Sequence, residues 1–181
     1  GGSGGAPAGQ GKRLKIAVIP KGTTHEFWKS VHAGAVKASK EEDVDIVWKG
    51  PLKEDDLKAQ IDVVNTFVAQ GVSGIVLAPL NDSALRAPVK AAVAAKIPVV
   101  VFDSDLQGDD YVSFVATDNQ AAGRLAGEAM AKLLGDKGNV IVLRYQEGSA
   151  STQKREKGFL DVIQSKPDIK LVSDNQYGGA T

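Results

Sequence analysis

The side chains best suited to chemistry in this chain are polar and aromatic residues that follow short apolar runs. Asp103 ends the run Val99–Phe102, and Ser104 comes directly after it. Trp28 stands shortly after another such run, and Arg155 stands near the start of a predicted helix. A carboxylate accepts hydrogen bonds, a guanidinium donates two at once, and an indole offers a broad flat surface. This combination is typical of non-covalent recognition of a small polar molecule.

Signatures of catalysis do not occur in the sequence. Neither the glycine pattern of a dinucleotide site nor that of a P-loop is present, and Gly148–Thr152 lacks the second glycine of a nucleophile elbow. His25 and His32 lie roughly 10 Å apart along one predicted helix, which is too far for a shared metal ion. The segment that begins at Asp103 resembles a calcium loop but has Phe114 at its last position instead of Glu. We therefore predict no enzyme, no cofactor and no metal.

The elements that must position these residues are apolar runs that alternate with helical segments. The runs are continuous and rich in β-branched residues, which is typical of strands buried on both faces of a parallel sheet. This alternation predicts doubly wound, Rossmann-like α/β lobes with right-handed crossovers. Ligands bind outside the carboxyl ends of such strands, so the candidate residues should gather there. The helices are predicted over residues 26–40, 55–70, 83–95, 120–134 and 152–165.

Composition and the alternation of predicted strands and helices divide the chain into three parts. Residues 1–12 contain six glycines and almost nothing that can be buried, so we expect a flexible tether. It is either an expression scar or the spacer behind the lipidated cysteine of a lipoprotein. Residues 13–117 form a first lobe and residues 118–181 a partial second one, because Asp109–Val115 breaks the alternation. Two or three strands cannot complete a doubly wound lobe, so the second lobe should be incomplete.

Charge and hydropathy exclude several classes of partner. The formal net charge is zero and the basic residues are scattered, which gives nucleic-acid binding no electrostatic support. No apolar run is long enough to span a membrane. The chain has no cysteine, which excludes disulfides and thiolate catalysis but leaves the redox compartment open.

Each candidate residue also has a simpler structural interpretation. Phe27 lies on the apolar stripe of its helix, so periodicity favours a place in the core. Trp28 lies about 100° away, and a role in stacking on a sugar ring competes evenly with a role in sealing a loop. Arg155 lies on the apolar stripe of its own helix, which favours projection into the crevice over snorkelling to solvent. Asp103 could equally form an Asx turn, and Lys21 is most simply a solvated loop lysine.

Five motifs occur in a fixed order along the chain, namely Ile16–Trp28, Gly71–Pro79, Ile97–Asp103, Thr117–Asn119 and Arg155–Phe159. Together they resemble the ribose-binding-protein-like type I periplasmic binding proteins, the sugar-binding components of bacterial ABC importers. The resemblance implies two lobes that close on a monosaccharide or sugar alcohol, an ABC transporter permease as partner, a periplasmic or extracytoplasmic location and a monomer. A sugar-sensing module that feeds a chemoreceptor, or one related to LacI-type regulators, is the alternative, and a small α/β enzyme is less favoured.

The resemblance also implies a ligand-binding set. The aromatic pair of the family falls on Phe27 and Trp28, its aspartate on Asp103 and its arginine on Arg155. Ribose-type proteins have Asn and Arg at two of the other candidate positions, where this chain has His and Ser, so pentoses, hexoses and sugar alcohols all stay open. Those other candidates are Lys21, His25, Ser104 and Thr117.

Overall fold

A computed structural model describes residues 13–180, so the predicted tether over residues 1–12 lies outside the described residues. In chain order, the strands and helices are β1 (Lys15–Ile19), α1 (Glu26–Glu41), β2 (Asp45–Trp48), α2 (Leu57–Gln70), β3 (Gly74–Leu77), α3 (Arg86–Ala94), β4 (Val99–Phe102), β5 (Ser113–Val115), α4 (Asn119–Leu133), β6 (Gly138–Arg144), α5 (Ala150–Gln164) and β7 (Ile169–Tyr177).

The first lobe is built on a five-stranded parallel sheet in the order β2-β1-β3-β4-β5. The order reverses between β1 and β3, which is where an open α/β sheet forms its ligand crevice. The core lies between the sheet and helices α2 and α3, where alternate strand residues such as Ile19, Leu77 and Val101 are fully buried. The predicted doubly wound α/β architecture is confirmed.

Helices α2 and α3 begin later than the sequence predicts, because local side-chain hydrogen bonds form turns first. Asp56 caps α2 by accepting a hydrogen bond from the amide of Ala59 at 2.9 Å. Before α3, the carboxamide oxygen of Asn81 accepts the amides of Ser83 and Ala84 at 3.0 and 2.8 Å. Such an Asx turn occupies the residues that helical periodicity assigns to α3.

Right-handed crossovers in this strand order put helix α1 on the opposite face of the sheet from α2 and α3. Periodicity predicts Phe27 in the core and Trp28 outside it, and this prediction is wrong. Trp28 is 2% exposed and Phe27 is 55% exposed. The first turn of α1 lies beside the ends of the strands, where the indole meets the ring of Phe102 edge to face at 6.2 Å between centroids.

The second lobe contains α4, α5 and a two-stranded parallel sheet of β6 and β7. Its core packs Ala131 and Val140 against Ile163 and Ile169. The outer face of this small sheet carries exposed apolar residues, such as Ile141 at 66% exposure. Two strands do not complete a doubly wound lobe, which agrees with the incomplete second lobe that the sequence predicts.

The connection between the lobes follows β5. This strand pairs in parallel with β4 although no helix separates them, and α4 then packs against α5. We propose that the lobes divide between residues 117 and 118. No helix of residues 13–180 has the length and apolar character needed to cross a membrane.

Candidate functional site

A cavity of about 650 Å³ lies between the two lobes, within the size range of small-molecule sites. Residues that follow β1, β4, β5 and β6 line it, together with the first turns of α1, α4 and α5. This is the edge of the sheet at which the sequence predicts a site. The lining residues are Lys21, His25, Phe27, Trp28, Glu54, Asp103, Thr117, Asn119, Ala122, Leu143, Tyr145, Ser151, Thr152, Arg155, Glu156 and Ala180.

Ser104 is the one predicted site residue that does not line this cavity. It is 1% exposed, and its hydroxyl accepts a hydrogen bond from the backbone amide of Ser151 at 3.1 Å. The first amides of a helix have no partner within the helix, so a hydroxyl from the first lobe satisfies one in α5 of the second lobe. Ser104 therefore connects the lobes, which corrects its predicted place. A ligand-binding role for the other predicted residues stays a prediction.

Lys21 is buried, with 3% exposure, so it is not a solvated loop lysine. Its ammonium group donates to the hydroxyls of Ser149 and Ser151 at 3.0 and 3.4 Å, both at the start of α5 in the second lobe. The carboxylate of Asp103 lies 3.9 Å from it. Burial lowers the pKa of Lys21 because it disfavours the charged amine, and the nearby carboxylates of Asp103 and Glu54 oppose that shift.

Asp103 occupies a turn that places its carboxylate at the cavity wall. Its φ of +63° lies in the left-handed region, which Asp tolerates better than most residues. Its amide donates to the carbonyl of Val115 at 2.9 Å, which fixes the turn to β5. Burial raises the pKa of Asp103, and the charges of Lys21 and Arg155 oppose this. The ionised carboxylate offers only acceptors, which suits hydroxyl donors on a ligand.

The aromatic wall consists of Phe27 and Trp28, whose rings meet edge to face with centroids 4.9 Å apart. The indole N–H of Trp28 donates to a carboxylate oxygen of Glu54 at 2.6 Å. Because Trp28 is packed on several sides, Phe27 carries the larger exposed surface. Phe27 is thus better placed than Trp28 to stack on a ring, which reverses the order that periodicity favours.

Polar groups on the second-lobe side face this wall. The guanidinium of Arg155 donates to the carboxamide oxygen of Asn119, which is 5% exposed. Asn119 in turn donates to the carbonyl of Thr117 at 3.0 Å. A guanidinium has five N–H donors, so this bond leaves others for a ligand. His25 lies opposite, at the start of α1, where its side chain is exposed and makes no capping hydrogen bond.

Sequence reasoning missed several lining residues. Tyr145 directly follows β6. The rule that ligands bind at the carboxyl ends of parallel strands, here called the strand-end rule, selects Asp103 and could also have found Tyr145. Asn119 belongs to the motif Thr117–Asn119, in which only Thr117 is a predicted ligand-binding residue. Glu54 follows β2 at some distance, and no sequence signal marks it.

No group of three or more His, Asp or Glu side chains in residues 13–180 is arranged to hold a metal ion. His32 stacks on Trp48, the last residue of β2, with ring centroids 4.6 Å apart, and it does not line the cavity. The side chains that line the cavity supply hydrogen-bond donors, hydrogen-bond acceptors and an aromatic surface.

Residues 16–181 match the family model described as a periplasmic binding protein domain. The chain belongs to the periplasmic binding protein family. It is 33% identical over 171 residues to the D-ribose/D-allose-binding protein of Pseudomonas aeruginosa, covering 90% of this chain and 53% of that protein. It is 30% identical over 135 residues to a xylitol-binding protein of Mycolicibacterium smegmatis, covering 75% of this chain and 38% of that protein.

Solved structures of this family have the same fold. The periplasmic component of an ABC-type sugar transport system from Hahella chejuensis superposes with a TM-score of 0.88 at 36% identity, over 92% of this chain and 61% of that one. These relatives confirm the resemblance to type I periplasmic sugar-binding proteins, and the two curated ones are named as binding proteins. The chain spans about half the length of the curated relatives it matches.

Proposed function

We propose that this chain binds a monosaccharide or sugar alcohol in the cavity between its lobes and delivers it, outside the cytoplasm, to the permease of an ABC importer. The observation that carries the proposal is the cavity itself, which is lined by the exposed ring of Phe27, the carboxylate of Asp103 and the guanidinium of Arg155. Relatives that are named as binding proteins for xylitol and for ribose or allose support the ligand class.

The chemistry of the cavity suits a polyhydroxylated ring or chain. A sugar has an apolar face of C–H groups that can lie on Phe27, and hydroxyls around its edge that both donate and accept. Asp103 would accept from neighbouring hydroxyls and Arg155 would donate to them. Each of these hydrogen bonds involves a charged group, and such bonds are stronger than neutral ones.

The balance of charge around the cavity favours a neutral ligand. The side chains of Lys21 and Arg155 contribute positive charge, and those of Asp103 and Glu54 contribute negative charge. The third carboxylate of the lining, Glu156, is paired with the guanidinium of Arg144 at 2.8 Å. An anionic ligand would leave a buried charge without a partner, which is costly. We therefore propose an unphosphorylated, uncharged sugar or sugar alcohol.

The test is calorimetry of the chain with xylitol, D-ribose, D-allose and D-arabinose, with thermal unfolding in parallel. A ligand at a hundred times its dissociation constant should stabilise the protein by about 2.7 kcal/mol. Phe27→Ala should weaken binding of the same ligand at least tenfold, whereas Val36→Ala, on the outer part of α1, should not. If no sugar or sugar alcohol stabilises the chain, or if both variants bind equally well, the proposal fails. Turnover of the bound sugar would favour an enzyme instead.

A further inference from the structure

One carboxylate joins the two lobes beside the cavity. Glu54, in the segment between β2 and α2, accepts the indole N–H of Trp28 on one oxygen at 2.6 Å. Its other oxygen accepts the phenol O–H of Tyr145 at 2.6 Å. Glu54 and Trp28 belong to the first lobe, and Tyr145 follows β6 in the second.

The local sequence holds Glu54 at this position. The hydroxyls of Thr23 and Thr24, in the segment after β1, donate to the carbonyls of Pro51 and Leu52 at 3.2 and 3.0 Å. Gly22 permits the close approach, because a Cβ there would lie 2.9 Å from the Cγ of Glu54. The segments after β1 and β2 are therefore packed together, and the carboxylate is set at the cavity wall.

The phenol of Tyr145 keeps its proton and therefore acts as the donor in this hydrogen bond. Burial raises the pKa of its phenol, and the hydrogen bond to Glu54 raises it further, so the O–H stays protonated at neutral pH. A hydrogen bond between a neutral donor and a carboxylate is stronger than one between neutral groups.

We propose that Glu54 and Tyr145 form a latch that holds the lobes closed over the cavity, and that Glu54 also fixes the indole of Trp28 in that closed state. Glu54 is thus a positioning residue, because it acts on the aromatic wall through Trp28. The consequence for a ligand rests on the proposed function, since a latch slows ligand release. The closure itself can be tested without any ligand.

Four variants separate the latch from a merely structural role. Tyr145→Phe removes the hydroxyl and keeps the ring, and Glu54→Ala removes both hydrogen bonds. Glu54→Gln should preserve the latch, because its amide oxygen can accept from Trp28 while its NH2 group donates to the phenol oxygen. Tyr111→Phe is the matched control for loss of a phenol hydroxyl outside the cavity. The hydroxyl of Tyr111 bonds to one oxygen of Asp105 at 3.3 Å, and its removal leaves the other oxygen of Asp105 in contact with Lys154 of the second lobe at 2.6 Å.

The first readout is the separation of the lobes without ligand. The chain has no cysteine, so Lys37→Cys and Lys170→Cys place one spin label on each lobe for pulsed electron resonance. Tyr145→Phe and Glu54→Ala should change and broaden the distance distribution, while Glu54→Gln and Tyr111→Phe should match the parent protein. An unchanged distribution in Tyr145→Phe overturns the latch, as does opening in Glu54→Gln that equals the opening in Glu54→Ala.

The second readout follows Trp28 directly. In a Trp48→Phe background its indole N–H gives a single proton–nitrogen resonance, which should move in Glu54→Ala and stay near the parent position in Tyr111→Phe. Xylitol, used as the probe, should dissociate about tenfold faster from Tyr145→Phe than from the parent. If xylitol binds to none of the proteins, its choice as ligand is wrong, and the spin-label distances still decide the latch.

Discussion

Replacing Arg155 with alanine should weaken sugar binding while the protein stays folded. The guanidinium lines the cavity, and a charged hydrogen-bond donor to a ligand typically contributes about 1.5–3 kcal/mol. The dissociation constant should therefore rise by roughly ten- to more than a hundredfold. Arg155→Lys keeps the charge but loses the planar guanidinium, so its affinity for the sugar should lie between that of the parent protein and that of Arg155→Ala.

The effect of this replacement on stability should be small, and the structure gives the reason. The residue itself is exposed, and the bond that it makes inside the protein is to the carboxamide oxygen of Asn119. Water in the cavity can replace that donor, so the free energy of unfolding should fall by only about 1 kcal/mol.

Calorimetry with the sugar that binds the parent protein measures the affinity, and thermal unfolding measures the stability. Arg124→Ala is the control, because Arg124 is an exposed arginine of the second lobe that does not line the cavity. The reasoning is refuted if Arg155→Ala binds the sugar within a factor of two of the parent protein. It is also refuted if the fraction of unfolded Arg155→Ala protein accounts for the whole loss of affinity, because Arg155 is then a structural residue.

Three further predictions concern packing, pH and the open sheet face. Gly123→Ala should lower the free energy of unfolding by about 2 kcal/mol or more in denaturant titration, because its Cβ would lie 2.0 Å from a carbonyl oxygen of α5. Gly34→Ala is the control: its Cβ meets no neighbour, so the free energy of unfolding should rise by about 0.5–1 kcal/mol. Burial raises the pKa of Asp103 above 3.8, so sugar affinity should fall as the pH is lowered towards that raised pKa, and calorimetry of Asp103→Asn should not show this fall. Exposed apolar residues of β6 and β7 should promote self-association, and Ile141→Thr with Val172→Thr should reduce it in sedimentation experiments.

The sequence predicts the first-lobe sheet well because burial on both faces leaves a strong signal. A run such as Val99–Phe102 is too apolar and too short for anything but a buried strand, and its abrupt end at Asp103 marks the edge where the cavity forms. The strand-end rule therefore finds residues that directly follow a strand. It cannot find Glu54, whose place depends on hydrogen bonds from Thr23 and Thr24 in another segment of the chain.

The exchange of roles between Phe27 and Trp28 has a different cause. Helical periodicity tells which residues share a face, but it assumes that the helix lies over the sheet along its whole length. The first turn of α1 lies beside the strand ends, so the inward direction there is set by Phe102 and Glu54. Periodicity is thus least reliable at the ends of elements, which is also where this fold places its site.

Lys21 and Asp103 show why such a site is built from residues that oppose folding. Burial lowers the pKa of the amine and raises the pKa of the carboxyl, so in both cases the protein disfavours the charged form. Their separation of 3.9 Å gives only partial compensation, and the hydroxyls of Ser149 and Ser151 supply the remaining contacts of the amine. A core with no ligand to bind would be more stable with apolar residues at both positions. Perturbed charges gather at sites of function because a ligand can complete their hydrogen bonds, and this pair lies at the wall of the cavity between the lobes.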